Sequence, residues 1–338
     1  MMDMTRRTSL LFRCFTPLFP LSLLFLFVLS TLFCGCGKEE GKTGKLKIGV
    51  SVPAASHGWT GGVLWHAEQA KQRIESGNPD TEILLTSAAT AAEQVERIEN
   101  LLARGIDALV VMAQEPGPLT GICGEAKKQG VYLVVVSNPL SEAHQDVFVN
   151  GSNRSFGKAA AEATGKLLNG KGDILVMEGV PSPINTERVS AFREELEKSW
   201  PEIRILESQA SYWNAEKGLA LMENFLQKHP KIDAVWTGDD DVLSGAVKGY
   251  AESGRTDLKA MIGGGGAKNV VKRILDGDPL VKATVSYSPA MIETGMDQAL
   301  AGLRNGKVPP EGKKEIIIPS EIITRENAEK FYFPDSVY

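Results

Sequence analysis

The stretch IDAVWTGDDDVLSGAVKG, residues 232–249, decides how this chain folds. An apolar run from Ile232 to Trp236 breaks at Thr237-Gly238. Three carboxylates follow, Asp239, Asp240 and Asp241, and then apolar residues recur at helical spacing (Val242, Leu243, Ala246, Val247, Tyr250). That order reads as strand, tight turn, helix. An aspartate just ahead of the first helical turn can accept the free backbone N–H groups there. In an open α/β sheet, ligands bind outside the carboxyl ends of the strands. At least one of the three therefore caps the helix, and one or more face a ligand. Three adjacent carboxylates also suggest a metal or acid–base site. Neighbouring residues on a turn point in different directions, however, and no histidine or second acidic group joins them.

The same unit recurs on both sides. Downstream lie strand and helix patterns at 259–262 and 268–276, then at 282–287 and 290–305, with 314–319 and a tail closing the chain. Immediately upstream are 203–209 and 215–229, preceded by 173–177 and 187–199 and by a helix at 153–168. An earlier set runs 45–52, 61–76, 81–86, 91–104, 108–112, 119–129, 132–136 and 146–149. Strands alternating with helices imply parallel sheets covered on both faces. The series is too long for one sheet and its two sets look alike. The expected fold is α/β, two doubly wound parallel-sheet lobes with a cleft between them.

The N-terminus carries a targeting pattern. Arg6, Arg7 and Arg13 precede an apolar run from Phe15 to Phe33, a positive segment followed by an apolar core. It ends at Leu32-Phe33-Cys34-Gly35-Cys36. Cys36, preceded by Gly35, fits cleavage and lipidation of a bacterial lipoprotein better than Cys34 behind the bulky Phe33. Arg6-Arg7 also suggests a twin-arginine signal, and the run has the length of a retained membrane helix. Each reading puts residues 45–338 outside the cytoplasm, beyond a polar, glycine-rich tether at 37–44. Cleavage at Cys36 leaves Cys123 as the free thiol, with no disulfide framework and no metal-type spacing. A net charge of −5 without basic clusters argues against a nucleic-acid partner.

Several residues fall at strand ends, where a ligand is met. His57 and Trp59, in 51–65 (SVPAASHGWTGGVLW), follow the first strand. A Trp there stacks on the apolar face of a sugar ring or packs against its own helix, and an imidazole hydrogen-bonds a hydroxyl. The Gly58, Gly61, Gly62 spacing is not that of a dinucleotide fingerprint. Arg188, after the loop 179–186, either forks onto two hydroxyls or a carboxylate, or makes a surface ion pair. Trp213, in Ser211-Tyr212-Trp213-Asn214, offers a second stacking plate. Tyr287, at the end of strand 282–287, reads as a ligand contact or a hinge residue. The glycine run 263–266, with Lys268 nearby, is either a phosphate cradle or a plain loop. No nucleophile elbow or phosphate-binding P-loop occurs.

On these residues the chain resembles the periplasmic sugar-binding proteins of ABC transporters, the ribose- and galactose-binding type of the type I periplasmic binding protein family. The resemblance covers 45–325. It rests on Asp239-Asp240 at the strand end, on Arg188-Val189-Ser190-Ala191-Phe192 (the family's R-x-x-G-F with Ala for Gly) and on 149–168, where a lobe crossing leads into a long helix. It implies three crossings, near 151, 287 and 319, so that 45–151 with 288–318 form one lobe and 152–287 with 319–338 the other. It implies Trp59 and Trp213 as the plates that sandwich a ring, Arg188, Asp239 and His57 as hydroxyl partners and Asp240 as the helix cap, while the helix dipole favours Asp241 as a solvated first-turn residue. Tyr287 stands where a Gln or Asn is common. Two departures bear on specificity. Ser137-Asn138 replaces the family's Asp-Arg pair, and the glycine run replaces G-F-D-G. A sugar or polyol other than ribose or galactose is therefore implied, with Asn138 and Asn269 as substitute contacts.

The function expected from all of this is an extracytoplasmic, lipid-anchored receptor. It captures a monosaccharide or polyol between its lobes and delivers it to an ABC permease, as a monomer, without cofactor, metal or catalysis. The alternatives are a receptor for a sugar or autoinducer-like ligand that feeds a membrane sensor kinase or chemoreceptor, and an α/β enzyme acting on a sugar.

Overall fold

The computed structural model describes residues 44–312 and 314–338. The leader expected at 1–36, its Cys36 and nearly all of the tether at 37–44 lie outside them. Among the described residues no helix is long and apolar enough to cross a membrane.

The first strands and helices alternate as β1 (Leu46–Pro53), α1 (Gly58–Gly77), β2 (Thr81–Ala88), α2 (Ala91–Ala103), β3 (Ala108–Val111), α3 (Pro116–Lys128), β4 (Tyr132–Val136) and β5 (Val147–Gly151). A second series follows: α4 (Asn153–Leu167), β6 (Lys171–Glu178), α5 (Pro183–Ser199), β7 (Glu202–Ala210), α6 (Ala215–Lys228), β8 (Ala234–Thr237), α7 (Asp240–Ser253), β9 (Ala260–Gly265), α8 (Lys268–Leu275) and β10 (Val281–Ser286). Then come α9 (Met291–Arg304), β11 (Glu315–Ile318), β12 (Ile322–Ile323) and a short 3-10 turn, Ala328–Phe331.

These elements build two six-stranded sheets. The first has the order β11-β5-β4-β3-β1-β2 and is parallel throughout. The second has the order β12-β10-β9-β8-β6-β7 and is parallel except for β12, which runs antiparallel to β10. The chain passes from one sheet to the other after β5, after β10 and after β11. The all-parallel expectation fails at β12 because only a short turn, Pro319-Ser320-Glu321, separates it from β11, and the Glu321 amide is held by Ser286 Oγ at 2.8 Å.

The central strands are apolar at successive positions rather than alternating. Leu109, Val110, Val111, Leu133, Val134 and Val135 are all fully buried. This is the pattern of a sheet covered on both faces, and each such side chain contributes about 1.5–3 kcal/mol. The two sheets also repeat a local device. Asp107 accepts from the Lys47 amide at 3.0 Å, and Asp233 accepts from the Asp173 amide at 2.9 Å, so each carboxylate ties the start of one central strand to the next.

Three helices start earlier than the sequence reading places them. The structure starts α1 at Gly58 instead of 61, α3 at Pro116 instead of 119 and α5 at Pro183 instead of 187. Proline carries no N–H and has a helical φ, so it suits a first turn although it looks like a breaker in sequence. At α1, Thr60 Oγ1 accepts from the Ser56 and His57 amides and so brings the chain into the helix early.

Candidate functional site

In each sheet the strand order reverses beside the first strand, between β1 and β3 in one and between β6 and β8 in the other. Crevices form outside the carboxyl ends at such switch points. The two crevices enclose one cavity of about 500 Å³. Its walls follow eight strands. His57, Trp59 and Thr60 follow β1, Gln114 follows β3, and Ser137 and Asn138 follow β4. Arg188 follows β6, Tyr212 and Trp213 follow β7, Asp239 follows β8, Gly264 and Gly265 end β9, and Tyr287 follows β10.

The cleft is closed. Gly58 N donates to Asp241 Oδ2 at 2.8 Å, joining the start of α1 to the start of α7. Trp59 Nε1 donates to the Tyr287 carbonyl at 2.7 Å. The rings of His57 and Trp213 meet tilted, with centroids 6.3 Å apart, and those of Trp59 and Tyr287 are 5.6 Å apart.

The three aspartates divide their work differently from expectation. Asp239, not Asp240, is the N-cap of α7, with Oδ1 accepting from the amides of Asp241 at 2.8 Å and Val242 at 3.2 Å. It also lines the cavity. Asp240 is buried inside the second sheet's loops, where its carboxylate accepts from the amides of Gly264, Gly266 and Ala267 and from Thr284 Oγ1, all at 2.7–2.9 Å. The glycine run therefore spends its amides on the protein's own carboxylate, and the phosphate-cradle reading falls. Asp241 is not merely solvated, because it makes the bond to Gly58. The cause is the turn itself, which aims three consecutive side chains at the helix amides, the β9 loop and the opposite lobe. Burial and the two neighbouring carboxylates push Asp239 well above the ordinary range, and burial pushes Asp240 up to about 6.

Arg188 is buried between two rings, with Cζ 4.0 Å from the Phe156 centroid and 4.3 Å from that of Tyr287. Its Nε donates to Asn153 Oδ1 at 3.0 Å and Nη1 to the Gly238 carbonyl at 3.3 Å. This is no surface ion pair. It is a guanidinium fixed by stacking and neutral acceptors on the cavity wall. Burial lowers its proton affinity, and the Asp239 carboxylate opposes that.

Trp213 follows Tyr212, and both are left-handed, with φ of 54° and 57°. Such a pair of non-glycine residues is strained, and strain of this kind concentrates at ligand clamps. Ser211 anchors the turn by donating twice to the Glu178 carbonyl. The indole lies directly over Gly179, where a Cβ would stand 2.1 Å from Nε1, so only glycine leaves room for it. Burial lowers the His57 pKa, while Asp241 opposes the shift, and its Nδ1 is buried without a partner among the described residues. Tyr287 Oη donates to Asn150 Oδ1 and meets Ser137 Oγ, each at 3.2 Å, which ties it to two strands of the first sheet. Asn138 lines the cavity, but its Nδ2 is committed to the Ala113 carbonyl at 2.7 Å.

Seven of the eight residues singled out in the sequence share this cavity, and Asn269 does not. It lies exposed on α8, 3.4 Å from Ser244 Oγ, because α8 starts with its second residue turned away from the cleft. Sequence reasoning gave no ligand role to Gln114, Tyr212 and Asn214, named Ser137 only as a departure from the family pair, and read Gly264 as part of a phosphate cradle or plain loop. They share one signal, a position within a few residues of a strand's carboxyl end. Among the described residues no group of three His, Cys, Asp or Glu is arranged to hold a metal.

Two doubly wound sheets that close on one cavity across three crossings define a hinged, two-lobed ligand-binding fold. A family model, described as the periplasmic binding protein domain, matches residues 48–307, and the chain belongs to that family. The ribose import binding protein of Bacillus subtilis is 26% identical over 245 residues, covering 72% of this chain and 77% of that protein. The D-xylose-binding periplasmic protein of Escherichia coli is 26% identical over 256 residues, covering 72% and 76%. Among solved structures, an ABC transporter solute binding protein from Bacillus halodurans with bound myo-inositol superposes with a TM-score of 0.76 at 22% identity, covering 86% of this chain and 99% of that one.

Proposed function

We propose that this chain is an extracytoplasmic receptor that captures a monosaccharide or polyol in the inter-lobe cavity and delivers it to an ABC permease. One observation carries the reading. Aromatic rings from both lobes, His57 and Trp213, meet with centroids 6.3 Å apart and line a cavity whose wall holds one buried cation, Arg188, and one buried carboxylate, Asp239. Rings suit the apolar faces of a sugar, and fixed donors and acceptors suit its hydroxyls. Opposite buried charges favour a neutral, polyhydroxylated ligand over an ion. The ligands named for the relatives, ribose, xylose and myo-inositol, are of that chemistry. Capture is a hinge motion that closes the lobes, and the closed form docks on the permease. The reading includes no catalytic step.

Within it, His57, Trp59, Asn138, Arg188, Trp213, Asp239 and Tyr287 contact the ligand. The chain acts as a monomer held at the outer face of the cell membrane through a lipid on Cys36. A thermal-shift screen over neutral sugars and polyols tests the binding. A ligand at a hundred times its Kd stabilises by about 2.7 kcal/mol, so at least one pentose, hexose or cyclitol should raise the melting temperature and quench tryptophan fluorescence. A broad panel with neither response overturns the reading. Cys36→Ala should abolish incorporation of labelled fatty acid and leave an uncleaved, heavier chain while Cys34→Ala does neither, and loss of the protein should abolish uptake of the ligand found.

A further inference from the structure

We propose that Tyr338 is an inter-lobe latch: its ring, carried by the second lobe's tail, seats on the start of α1 and holds the cleft closed. The tail is fastened to the second lobe. β12 pairs with β10, the 3-10 turn Ala328–Phe331 packs on α8, and Lys268 Nζ donates to the carbonyls of Pro334 and Ser336. Ser336 Oγ in turn donates to the Tyr338 carbonyl at 2.7 Å and accepts from its amide at 3.1 Å. From that base the side chain crosses to the other lobe. A Cβ on Gly58 would stand 3.0 Å from the Tyr338 ring, and a Cβ on Gly62 would stand 2.9 Å from Tyr338 Cβ. Two α1 glycines thus leave a notch one helical turn long that the tyrosine fills. At the ring's far end the hydroxyl occupies the space over Gly265, where a Cβ would stand 2.0 Å from it and where φ is +125°.

The burial is selective. Phe333 and Val337, on the same segment, are 61% and 59% exposed, whereas Tyr338 is 7% exposed. Its Oη is buried without a hydrogen-bond partner among the described residues, so the ring and not the hydroxyl carries the attachment. Burial and the Asp239, Asp240 and Asp241 carboxylates push that hydroxyl well above the ordinary tyrosine range, which keeps it protonated. Separation of the lobes takes the ring out of the notch and returns an aromatic surface to water, and it breaks the adjacent Gly58–Asp241 bond. The latch therefore shifts the open–closed equilibrium before any ligand arrives, and it does not depend on which solute the cavity takes.

Hydrogen exchange on the full-length, ligand-free protein tests this, since the Gly58 amide is protected only while the lobes meet. In Tyr338→Ala, peptides spanning 57–63 and 263–267 should exchange at least about threefold faster, while a peptide spanning β3 is unchanged. Tyr338→Phe should match the parent, because it keeps the ring. Lys268→Met, which frees the tail without touching either core, should reproduce Tyr338→Ala and serves if that variant fails to fold. Parent-like exchange at 57–63 in Tyr338→Ala, a uniform rise throughout the chain, or a Tyr338→Phe as open as the alanine variant would each overturn the latch. Failure of the sugar screen would leave these outcomes unaffected.

Discussion

The amide of Gly58 donates to the carboxylate of Asp241 at 2.8 Å, although 183 residues separate them and they open helices in different lobes. A carboxylate at a helix start is favoured by the free amides and dipole of its own helix. Here Asp241 lies between two helix starts, those of α7 and α1, so lobe closure gives it a second set of donors.

That bond exists only in the closed form. A hydrogen bond to a charged acceptor contributes about 1.5–3 kcal/mol, so Asp241→Ala should speed dissociation of the bound solute by roughly 10- to 100-fold. The ligand-free melting temperature should fall as well, since the bond is already made in the closed, ligand-free protein. Stopped-flow tryptophan fluorescence checks the rate, and an unchanged dissociation rate would remove Asp241 from the closing contact.

Arg188→Lys keeps the charge but loses the plane that stacks between Phe156 and Tyr287 and the fork that reaches Asn153 and Gly238. Both losses fall on a buried group. Binding of the screened sugar should weaken by more than about tenfold, and the protein should lose about 1–3 kcal/mol of stability. Calorimetric titration and chemical denaturation measure the two separately.

The carboxylates of the opening turn predict a pH dependence of definite sign. Asp239 and Asp240 are raised by burial, Asp240 to about 6, so the fold disfavours their charged forms. Their cost to stability grows as pH rises from the unfolded value near 4 and is relieved as pH falls. Asp239→Asn keeps an oxygen to cap α7 without the buried charge. Ligand-free Asp239→Asn should melt above the parent at pH 7.5, with the gap closing toward pH 4. Asp240→Asn should melt lower at both, since an amide cannot accept from all four donors around that site.

Trp213 and Asn269 form a matched pair of tests. Trp213→Ala removes the cavity wall that faces His57 and should weaken sugar binding by about 1–3 kcal/mol, the worth of an aromatic anchor in a closed pocket. Asn269→Ala should leave affinity within error, because that side chain lies exposed on α8. Equal losses in the two variants would show that the effect comes through the fold and not through the cavity.

Much of the architecture was legible because its signals are local. Apolar runs such as Leu109–Val111, ended by polar residues or glycine and followed by helical spacing, mark parallel strands and crossover helices without reference to distant parts of the chain. Strand-end positions likewise pointed to His57, Arg188, Trp213 and Asp239, since the doubly wound topology gathers carboxyl ends at one edge. Asn269 failed on orientation, because a helix residue one position from its start can face either way. The antiparallel β12 failed because two residues carry no periodicity.

The sequence by itself determined that this chain builds two α/β lobes and which strand ends supply the cavity, for these follow from short-range patterning and chain topology. Only the tertiary structure decided what each member of Asp239-Asp240-Asp241 does. One caps α7, one gathers the glycine-loop amides and one bonds the opposite lobe, and three identical neighbours in sequence carry no mark of those directions. Tertiary structure also decided that Tyr338 lies between the lobes. A contact across 276 residues, from Gly62 to Tyr338, depends on how the packed sheets bring a tail to a helix start, and no local propensity encodes that meeting.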